Sequence, residues 1–254
     1  MKLIASDFDE TLKRGGRVSL KDKRAIERMR RAGNPFLIVS GRNYDLIKDA
    51  LRVFRVPYDY LILANGAIIL DKDLNVLHLR YIDRESTEKV LDIIEQRNAV
   101  VAGLSDGLRY GVLKHGKNLY ALLRYLVLSI RKTPLEQLKS DQIATFFVQG
   151  SEEETEELYQ LLLQEKGLAP VKNVGTLVDI QSSGTDKSAA LFWLKEYLGA
   201  EEVFTIGDSH NDLRMIKEHY GLAIAGAEKE VKDAARAIVH NFEEVEEIVT
   251  HAEI

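Results

Sequence analysis

The sequence predicts an α/β protein that has a core with a parallel sheet wrapped by helices, and an inserted α+β domain. Two observations predict the core: short apolar runs with the length and β-branched content of buried strands, and helix patterns between several of them. Such strand–helix alternation is typical of parallel sheets. A third observation predicts the insertion, because the alternation is lost between about Tyr81 and Val178.

The core strands and helices can be placed along the chain from apolar runs and capping residues. The predicted strands are Lys2–Ser6, Pro35–Val39, Leu61–Ala64, Val203–Ile206 and Leu222–Ala225. Helices are expected where residues with short polar side chains precede amphipathic stretches. The candidate starts are Ser19, Asn43 or Asp45, and Thr185-Asp186; Gly33 and Gly199 follow the ends of the first and third helices.

The inserted region has a mixed pattern of its own. In chain order we predict a helix at Glu85–Arg97, two short strands around the turn Ser105-Asp106-Gly107, an amphipathic segment near Asn118–Leu138, a strand at Ile143–Gln149 and an acidic helix at Ser151–Lys166. The core is expected to resume near Val178-Asp179-Ile180. This region contains no cluster of residues typical of catalysis, so we interpret it as a cap domain.

Composition narrows the class of protein. The chain has 254 residues, enough to bury a sizeable core in one large or two medium domains. Its net charge of −5 argues against general nucleic-acid binding, and its lack of cysteine excludes disulfides and thiolate metal sites. Neither a secretory signal nor a membrane-spanning run is apparent. We therefore expect a cytoplasmic protein without a nucleic-acid or membrane partner.

Polar residues follow four of the predicted strands. These segments are Asp7-Phe8-Asp9, Ser40-Gly41-Arg42, Asn65-Gly66, and Gly207-Asp208-Ser209-His210-Asn211-Asp212. In open parallel sheets, ligands bind beyond the carboxyl ends of the strands. Alternation along a strand is expected to send Asp7 and Asp9 to the same face, where their mutual repulsion calls for a cation or a shared proton. The sequence therefore predicts one polar site at this edge of the sheet.

The residue types at this edge are suited to phosphoryl transfer. Asp7 is the candidate nucleophile, because an ordinary aspartate is ionised at neutral pH and can form an acyl phosphate. Asp9 is placed to protonate the leaving oxygen and then to deprotonate the attacking water. Asp208 suits a hard cation such as Mg²⁺, which prefers oxygen ligands.

Three further groups are candidates for holding the phosphoryl group. The hydroxyl of Ser40 and the backbone N–H of Gly41 can bind a phosphoryl oxygen. Lys187, at the start of a predicted helix, can place a positive charge against the transferring group.

In this order the motifs resemble those of the haloacid dehalogenase superfamily of phosphohydrolases, and most closely its Cof-type branch with an α+β type-II cap. The matching segments are DFDET at 7–11, SGR at 40–42, ANGA at 64–67, GTDKSAAL at 184–191 and GDSHNDLRMI at 207–216. The resemblance implies a Rossmann-like core at 1–79 and 181–254 and a cap at 80–180. Glu10 departs from the family pattern, because many members have Gly there.

The resemblance also implies roles for individual residues. Asp7 would be both nucleophile and Mg²⁺ ligand, and the backbone carbonyl of Asp9 would bind the same ion. Asp208 would be a direct metal ligand and Asp212 would support the metal site. Ser40, Gly41, Lys187 and Asn211 would contact the substrate phosphate.

These features predict a Mg²⁺-dependent phosphatase that hydrolyses a small phosphorylated metabolite through an aspartyl phosphate. A phosphotransferase or phosphomutase would use the same intermediate with a sugar hydroxyl as acceptor. A non-catalytic phospho-ligand-binding protein on the same fold is a further alternative. The identity of the metabolite, the cap residues that select it, the effect of Glu10 and the oligomeric state stay open at this point.

Overall fold

The computed structural model describes residues 1–97, 101–114, 132–139, 141–173 and 176–252. They divide into two compact units. The first comprises Met1–Ser40, Lys48–Leu77 and Asp186–Ile254, and the second comprises Gly41–Ile47 and His78–Thr185. The domain boundaries predicted above, 1–79 with 181–254 and 80–180, stay predictions.

The described residues form thirteen strands and eight α-helices. The strands are β1 Lys2–Asp7, β2 Phe36–Val39, β3 Tyr60–Leu63, β4 Ile68–Asp71, β5 Val76–Leu79, β6 Val101–Ser105, β7 Tyr110–Lys114, β8 Thr145–Gln149, β9 Leu168–Lys172, β10 Leu177–Ser182, β11 Glu202–Gly207, β12 Tyr220–Ile224 and β13 Ala237–Val239. The helices are α1 Leu20–Arg31, α2 Tyr44–Phe54, α3 Arg84–Glu95, α4 Glu152–Leu162, α5 Lys187–Leu198, α6 Leu213–Glu218, α7 Lys229–Ala234 and α8 Phe242–His251.

An eight-stranded sheet forms the centre of the first unit. Its order is β13-β12-β11-β1-β2-β3-β4-β5, and the pairs from β13 to β3 are parallel. The pair β3–β4 is antiparallel. Leu3, Ile4 and Ala5 of β1 are all fully buried, which is expected of a strand covered by helices on both faces of its sheet.

Local capping explains where the helices of this unit begin and end. The Ser19 hydroxyl accepts a hydrogen bond from the N–H of Asp22, and the Asp186 carboxylate accepts one from Ala189, so both residues cap their helices. α5 ends at Gly199, whose φ of 63° lies in the left-handed region that glycine adopts without strain. The Asp186 cap fixes the start of the helix that carries Lys187.

The second unit contains a separate antiparallel sheet of order β7-β6-β8-β10-β9. Alternate residues of these strands, such as Phe146, Val148 and Ile180, pack in one apolar cluster with residues of α3 and α4. Ser151 caps α4 and shares a reciprocal capping box with Glu154. This unit therefore has its own hydrophobic core.

The α/β fold with a parallel-sheet core and an additional α+β unit is confirmed. The structure differs from the expected chain order at Val178-Asp179-Ile180, where we placed the return to the core. These residues belong to β10 of the five-stranded sheet, and the first unit resumes at Asp186. Most of the amphipathic segment predicted near Asn118–Leu138 lies outside the described residues.

Within the described part of the chain, no helix is both long and apolar enough to span a membrane.

Candidate active site

The candidate site lies at the carboxyl ends of parallel strands in the first unit. β1 ends at Asp7, and its parallel neighbour β11 ends at Gly207, directly before Asp208. β2, on the other side of β1, is followed by Ser40. Ser40 is buried, donates its N–H to the carbonyl of Ile62, and accepts a hydrogen bond from the N–H of Asn65 on its own carbonyl. The strand register thus brings residues from distant parts of the sequence to one edge.

A buried lysine joins two of these carboxylates. The Lys187 ammonium donates hydrogen bonds to Asp7 Oδ1 and Asp212 Oδ1, both at 2.7 Å. The Lys187 side chain is 3 % exposed and that of Asp212 is fully buried. A buried charge is tolerated when it is paired and hydrogen-bonded, so the three groups depend on one another.

Close approach of two loops supports the position of Lys187. The residues Ala64–Gly66 form a 3₁₀ turn after β3, and Gly66 has a φ of 100°. A Cβ on Gly66 would lie 2.3 Å from the carbonyl oxygen of Asp186, the residue that caps α5. Only glycine allows this contact between the turn and the start of α5. This gives a structural reason for the glycine in the ANGA segment.

The surroundings of Asp7 do not agree with the expectation from the sequence that this residue is ionised without help. Burial raises the pKa of Asp7 well above its usual value; the Lys187 ammonium opposes this rise, and the carboxylates of Asp212 and Asp208 add to it. For Lys187, burial favours the neutral form, but Asp212 and Asp7 raise its pKa overall. Ionised Asp7 therefore needs positive charge beyond the lysine, because several carboxylates share one ammonium group.

Two hydrogen bonds hold Asp208, one at its side chain and one at its backbone N–H. The Thr11 hydroxyl donates to Asp208 Oδ1 at 2.5 Å, and the Asp208 N–H donates to Asp212 Oδ2 at 3.0 Å. Burial raises the pKa of the Asp208 carboxyl to about 6; the Thr11 hydrogen bond opposes the rise, and the charge on Asp212 contributes to it. Gly207 makes room for this arrangement, because a Cβ there would lie 2.6 Å from the Asp212 Cβ.

The carboxylates of Asp7, Asp208 and Asp212 form an acidic cluster. Each offers one oxygen, and these oxygens lie within 4.8 Å of one another. Carboxylate oxygens are the ligands that hard divalent cations prefer, and a cation would offset both the burial of the negative charges and their mutual repulsion. The donor set therefore fits a divalent metal ion. Asp212 is part of this cluster, and the supporting role that we expected for it stays a prediction.

The remaining predicted residues have other surroundings. β1 ends at Asp7, so strand alternation does not extend to Asp9, whose carboxylate pairs with Lys13 at 2.6 Å. Gly41 directly follows Ser40 and begins the segment assigned to the second unit. The Asn211 side-chain oxygen accepts a hydrogen bond from the Ser209 hydroxyl at 2.9 Å. The phosphate-binding roles of Ser40, Gly41 and Asn211 stay predictions.

Two residues of the site were missed at the sequence level. Thr11 was noted only as part of the DFDET segment, although its hydroxyl binds Asp208. Lys13, which pairs with Asp9, follows the motif by two residues and had no assigned role. The signal available for both was their place in the short loop after β1, where polar side chains can reach back to the carboxylates.

The family of the chain follows from comparison with known proteins. The model of the haloacid dehalogenase-like hydrolases matches residues 4–249. The chain belongs to the haloacid dehalogenase-like hydrolases. The predicted family is thereby confirmed, and the match extends over both units.

Curated relatives and solved structures agree with this assignment. The chain is 27 % identical over 240 residues to 5-amino-6-(5-phospho-D-ribitylamino)uracil phosphatase YcsE of Bacillus subtilis, covering 92 % of this chain and 88 % of the relative. It is 29 % identical over 223 residues to a phosphoglycolate phosphatase of Pyrobaculum aerophilum, covering 82 % and 90 %.

Two solved structures share the fold at lower identity. BT1666 from Bacteroides thetaiotaomicron, one of the phosphatases of this superfamily, superposes with a TM-score of 0.81 at 20 % identity, covering 99 % of this chain and 94 % of that one. The subclass IIB sugar phosphatase BT4131 gives 0.78 at 20 % identity, covering 99 % and 98 %. At this level of identity the likeness establishes the fold.

Proposed function

We propose that this hydrolase is a Mg²⁺-dependent phosphatase that acts on a small phosphorylated metabolite through an aspartyl phosphate on Asp7. The observation that carries the proposal is the buried contact of Lys187 with Asp7 and Asp212, next to Asp208. A nucleophilic carboxylate, a fixed ammonium group and a donor set for a hard cation are the groups that phosphoryl transfer needs. The phosphatases among the curated relatives support the same reaction class.

The first half of the reaction is assigned to Asp7 and Asp9. An oxygen of Asp7 attacks phosphorus, and the bond from phosphorus to the ester oxygen of the substrate breaks. Asp9 gives its proton to that leaving oxygen, so the product is an alcohol and Asp7 carries the phosphoryl group.

In the second half, Asp9 takes a proton from a water molecule whose oxygen attacks the phosphorus. The bond between phosphorus and Asp7 breaks, which releases inorganic phosphate and restores the carboxylate. Asp9 thus ends each cycle protonated, as it began.

Positive charge must balance the anionic substrate in this site. We assign Lys187 to the phosphoryl oxygens, together with the Ser40 hydroxyl, the Gly41 N–H and the Asn211 side chain. Asp7, Asp208 and the Asp9 carbonyl are the proposed ligands of Mg²⁺, with Asp212 in support. When bound, the ion neutralises charge on the phosphoryl group and on the carboxylates around it.

The substrate class is proposed from the relatives. Those named above act on a ribitylaminouracil phosphate and on phosphoglycolate, and BT4131 is a sugar phosphatase. Each of these substrates is a phosphomonoester of a small molecule. We therefore propose a sugar phosphate or a similar metabolite, with residues 1–79 and 181–254 as the catalytic domain and 80–180 as its inserted cap. The cytoplasmic location expected from the sequence stays a prediction.

Phosphate release from a panel of phosphorylated metabolites with Mg²⁺ tests the proposal. We expect turnover of at least one sugar or polyol phosphate by the wild type. Asp7→Asn should abolish turnover because it removes the nucleophile while keeping the shape of the side chain. Retention of activity by this variant would refute the nucleophile. Release that requires an added acceptor alcohol would instead point to a phosphotransferase.

A further inference from the structure

The loop after β1 folds back so that one lysine meets Asp9. The N–H of Lys13 donates to the carbonyl of Phe8 at 2.7 Å, and the N–H of Glu10 donates to the carbonyl of Lys13 at 2.8 Å. Glu10 makes the reversal possible with a φ of 59°, in the left-handed region. The backbone bonds on both sides of the turn fix the position of Lys13 relative to Asp9.

The side chain of Lys13 is also held in place. Its ammonium donates to Asp9 Oδ1 at 2.6 Å and lies 5.7 Å from the centroid of the Phe8 ring, which is fully buried. Ionic hydrogen bonds of this length are among the stronger ones in proteins, and an aromatic face adds attraction for the cation. The Lys13 side chain is 19 % exposed and that of Asp9 is 37 % exposed.

This degree of exposure limits what the pair contributes to stability. Ion pairs near the surface typically contribute little to the free energy of folding. A displacement of a catalytic group by about 1 Å, in contrast, can cost about 10²-fold in rate. The contact is therefore expected to affect catalysis more than folding.

We propose that Lys13 is a positioning residue that fixes the orientation of the Asp9 carboxyl group for proton transfer to the leaving group. The inference rests on the proposed function, because it assigns Lys13 to the step in which Asp9 gives its proton to the ester oxygen as the bond to phosphorus breaks. A general acid must lie within about 2.6 to 3.2 Å of the atom that it protonates. Lys13 anchors Oδ1 and so limits rotation of the carboxyl group, which leaves Oδ2 to carry the proton that is transferred.

The test compares kcat/KM for two substrates with different leaving groups. An alkyl phosphate, such as a sugar phosphate, needs protonation of its leaving oxygen. In contrast, p-nitrophenyl phosphate releases a stable anion, so its cleavage depends much less on protonation. Both must transfer phosphorus to the enzyme, and kcat/KM reports events up to that transfer. We expect Lys13→Met to lower kcat/KM by about 10- to 100-fold for the alkyl ester and by less than about threefold for the aryl ester.

Four further variants complete the design: Lys13→Arg, Asp9→Asn, the double variant Asp9→Asn with Lys13→Met, and Lys72→Met. Lys13→Arg keeps an ionic hydrogen-bond donor and should restore most of the alkyl phosphate activity. In an Asp9→Asn background, Lys13→Met should cause no additional loss, because its effect acts through Asp9. Lys72→Met removes a lysine from an exposed pair with Asp73 and should leave the ratio of the two substrates unchanged.

The outcomes separate the inference from the proposed function. Provided that the wild type hydrolyses both esters, three results would overturn the role of Lys13. These are an equal loss of kcat/KM with the two esters, no loss with either, and a loss that adds to that of Asp9→Asn. A wild type that releases phosphate from neither ester in the presence of Mg²⁺ would overturn the proposed function itself.

Discussion

Lys187 cannot neutralise all the acidic groups around it. It contacts two carboxylates directly, and Asp208 brings a third to the same cluster. Removing one partner from a buried ion pair typically costs about 3 to 5 kcal/mol, because the other charge is left without compensation. The cluster therefore carries more negative charge than its own lysine balances, which favours protonation or a bound cation.

Because of Asp208, the stability of the metal-free protein is expected to depend on pH. Its pKa is about 6 in the folded protein, above the ordinary value of a solvated aspartate, which is about 3.9. Between these two values the folded state binds more protons than the unfolded state, so this group destabilises the metal-free protein progressively as the pH rises through that window. At pH values well above 6 the full destabilisation is present.

Asp208→Asn should remove this cost while its side-chain oxygen still accepts the Thr11 hydrogen bond. In urea unfolding with EDTA at pH 7.5, we expect the variant to be more stable than the wild type by about 1 to 3 kcal/mol. At pH 4 the difference should nearly vanish. Asp233→Asn, at an exposed position, should change stability by no more than about 0.5 kcal/mol at either pH. A wild type more stable than Asp208→Asn at pH 7.5 would contradict the cause given for the raised pKa.

At the scale of the secondary-structure element, the end of β11 depends on the absence of a side chain at Gly207. A Cβ there would come within 2.6 to 2.8 Å of the Cβ, Cγ and Oδ2 atoms of Asp212. Asp212 is fully buried and bonded to Lys187 and to the N–H of Asp208, so it has little room to move.

Gly207→Ala should therefore displace Asp212 and disturb the Lys187 contact. We expect a loss of about 1 to 3 kcal/mol of stability, as is typical of overpacking, together with a large fall in phosphatase activity. Gly226→Ala is the matched control, because a Cβ at Gly226 meets no atom within 4 Å. Thermal unfolding and phosphate release measured on both variants check this. Equal behaviour of the two variants would be inconsistent with the close approach of Asp212 to β11.

Some of the secondary-structure elements could be predicted from the sequence and others could not. Local signals such as the Ser19 and Asp186 caps and the apolar run of β1 are enough to place those elements. The assignment of β10 to the second sheet was missed, because strand pairing is a long-range property that apolar runs do not encode. Strands β4 and β5, which are neighbours in both sequence and sheet, were missed as well.

For the site, sequence motifs identified Asp7, Asp208 and Lys187, which the structure brings to one edge of the sheet. The direct position of Asp212 in the cluster and the pairing of Lys13 with Asp9 depend on turn geometry and on side-chain orientation. Neither property has a periodic signal in the sequence.

At the scale of the whole molecule, each unit has its own sheet and its own apolar cluster. The acidic cluster lies entirely within the first unit. A ligand that binds only the folded state stabilises it by RT ln(1 + [L]/Kd), which is about 2.7 kcal/mol when the ligand concentration is 100 times Kd. Metal binding at this cluster should therefore stabilise the first unit selectively.

The selective stabilisation of the first unit by the metal can be tested by removing Mg²⁺ and adding it back. Phosphate release and hydrogen exchange are the two measurements. EDTA should abolish phosphate release and added Mg²⁺ should restore it, because the carboxylates need a cation to accept an anionic substrate. In hydrogen-exchange mass spectrometry, saturating Mg²⁺ should slow exchange in β1, in β11 and in the first turn of α5, and leave β8 and β10 of the second sheet unchanged. Asp7→Asn with Asp208→Asn removes two of the three clustered carboxylates and should lose this protection. Activity that survives EDTA, or protection spread equally over both sheets, would contradict a metal site at the acidic cluster.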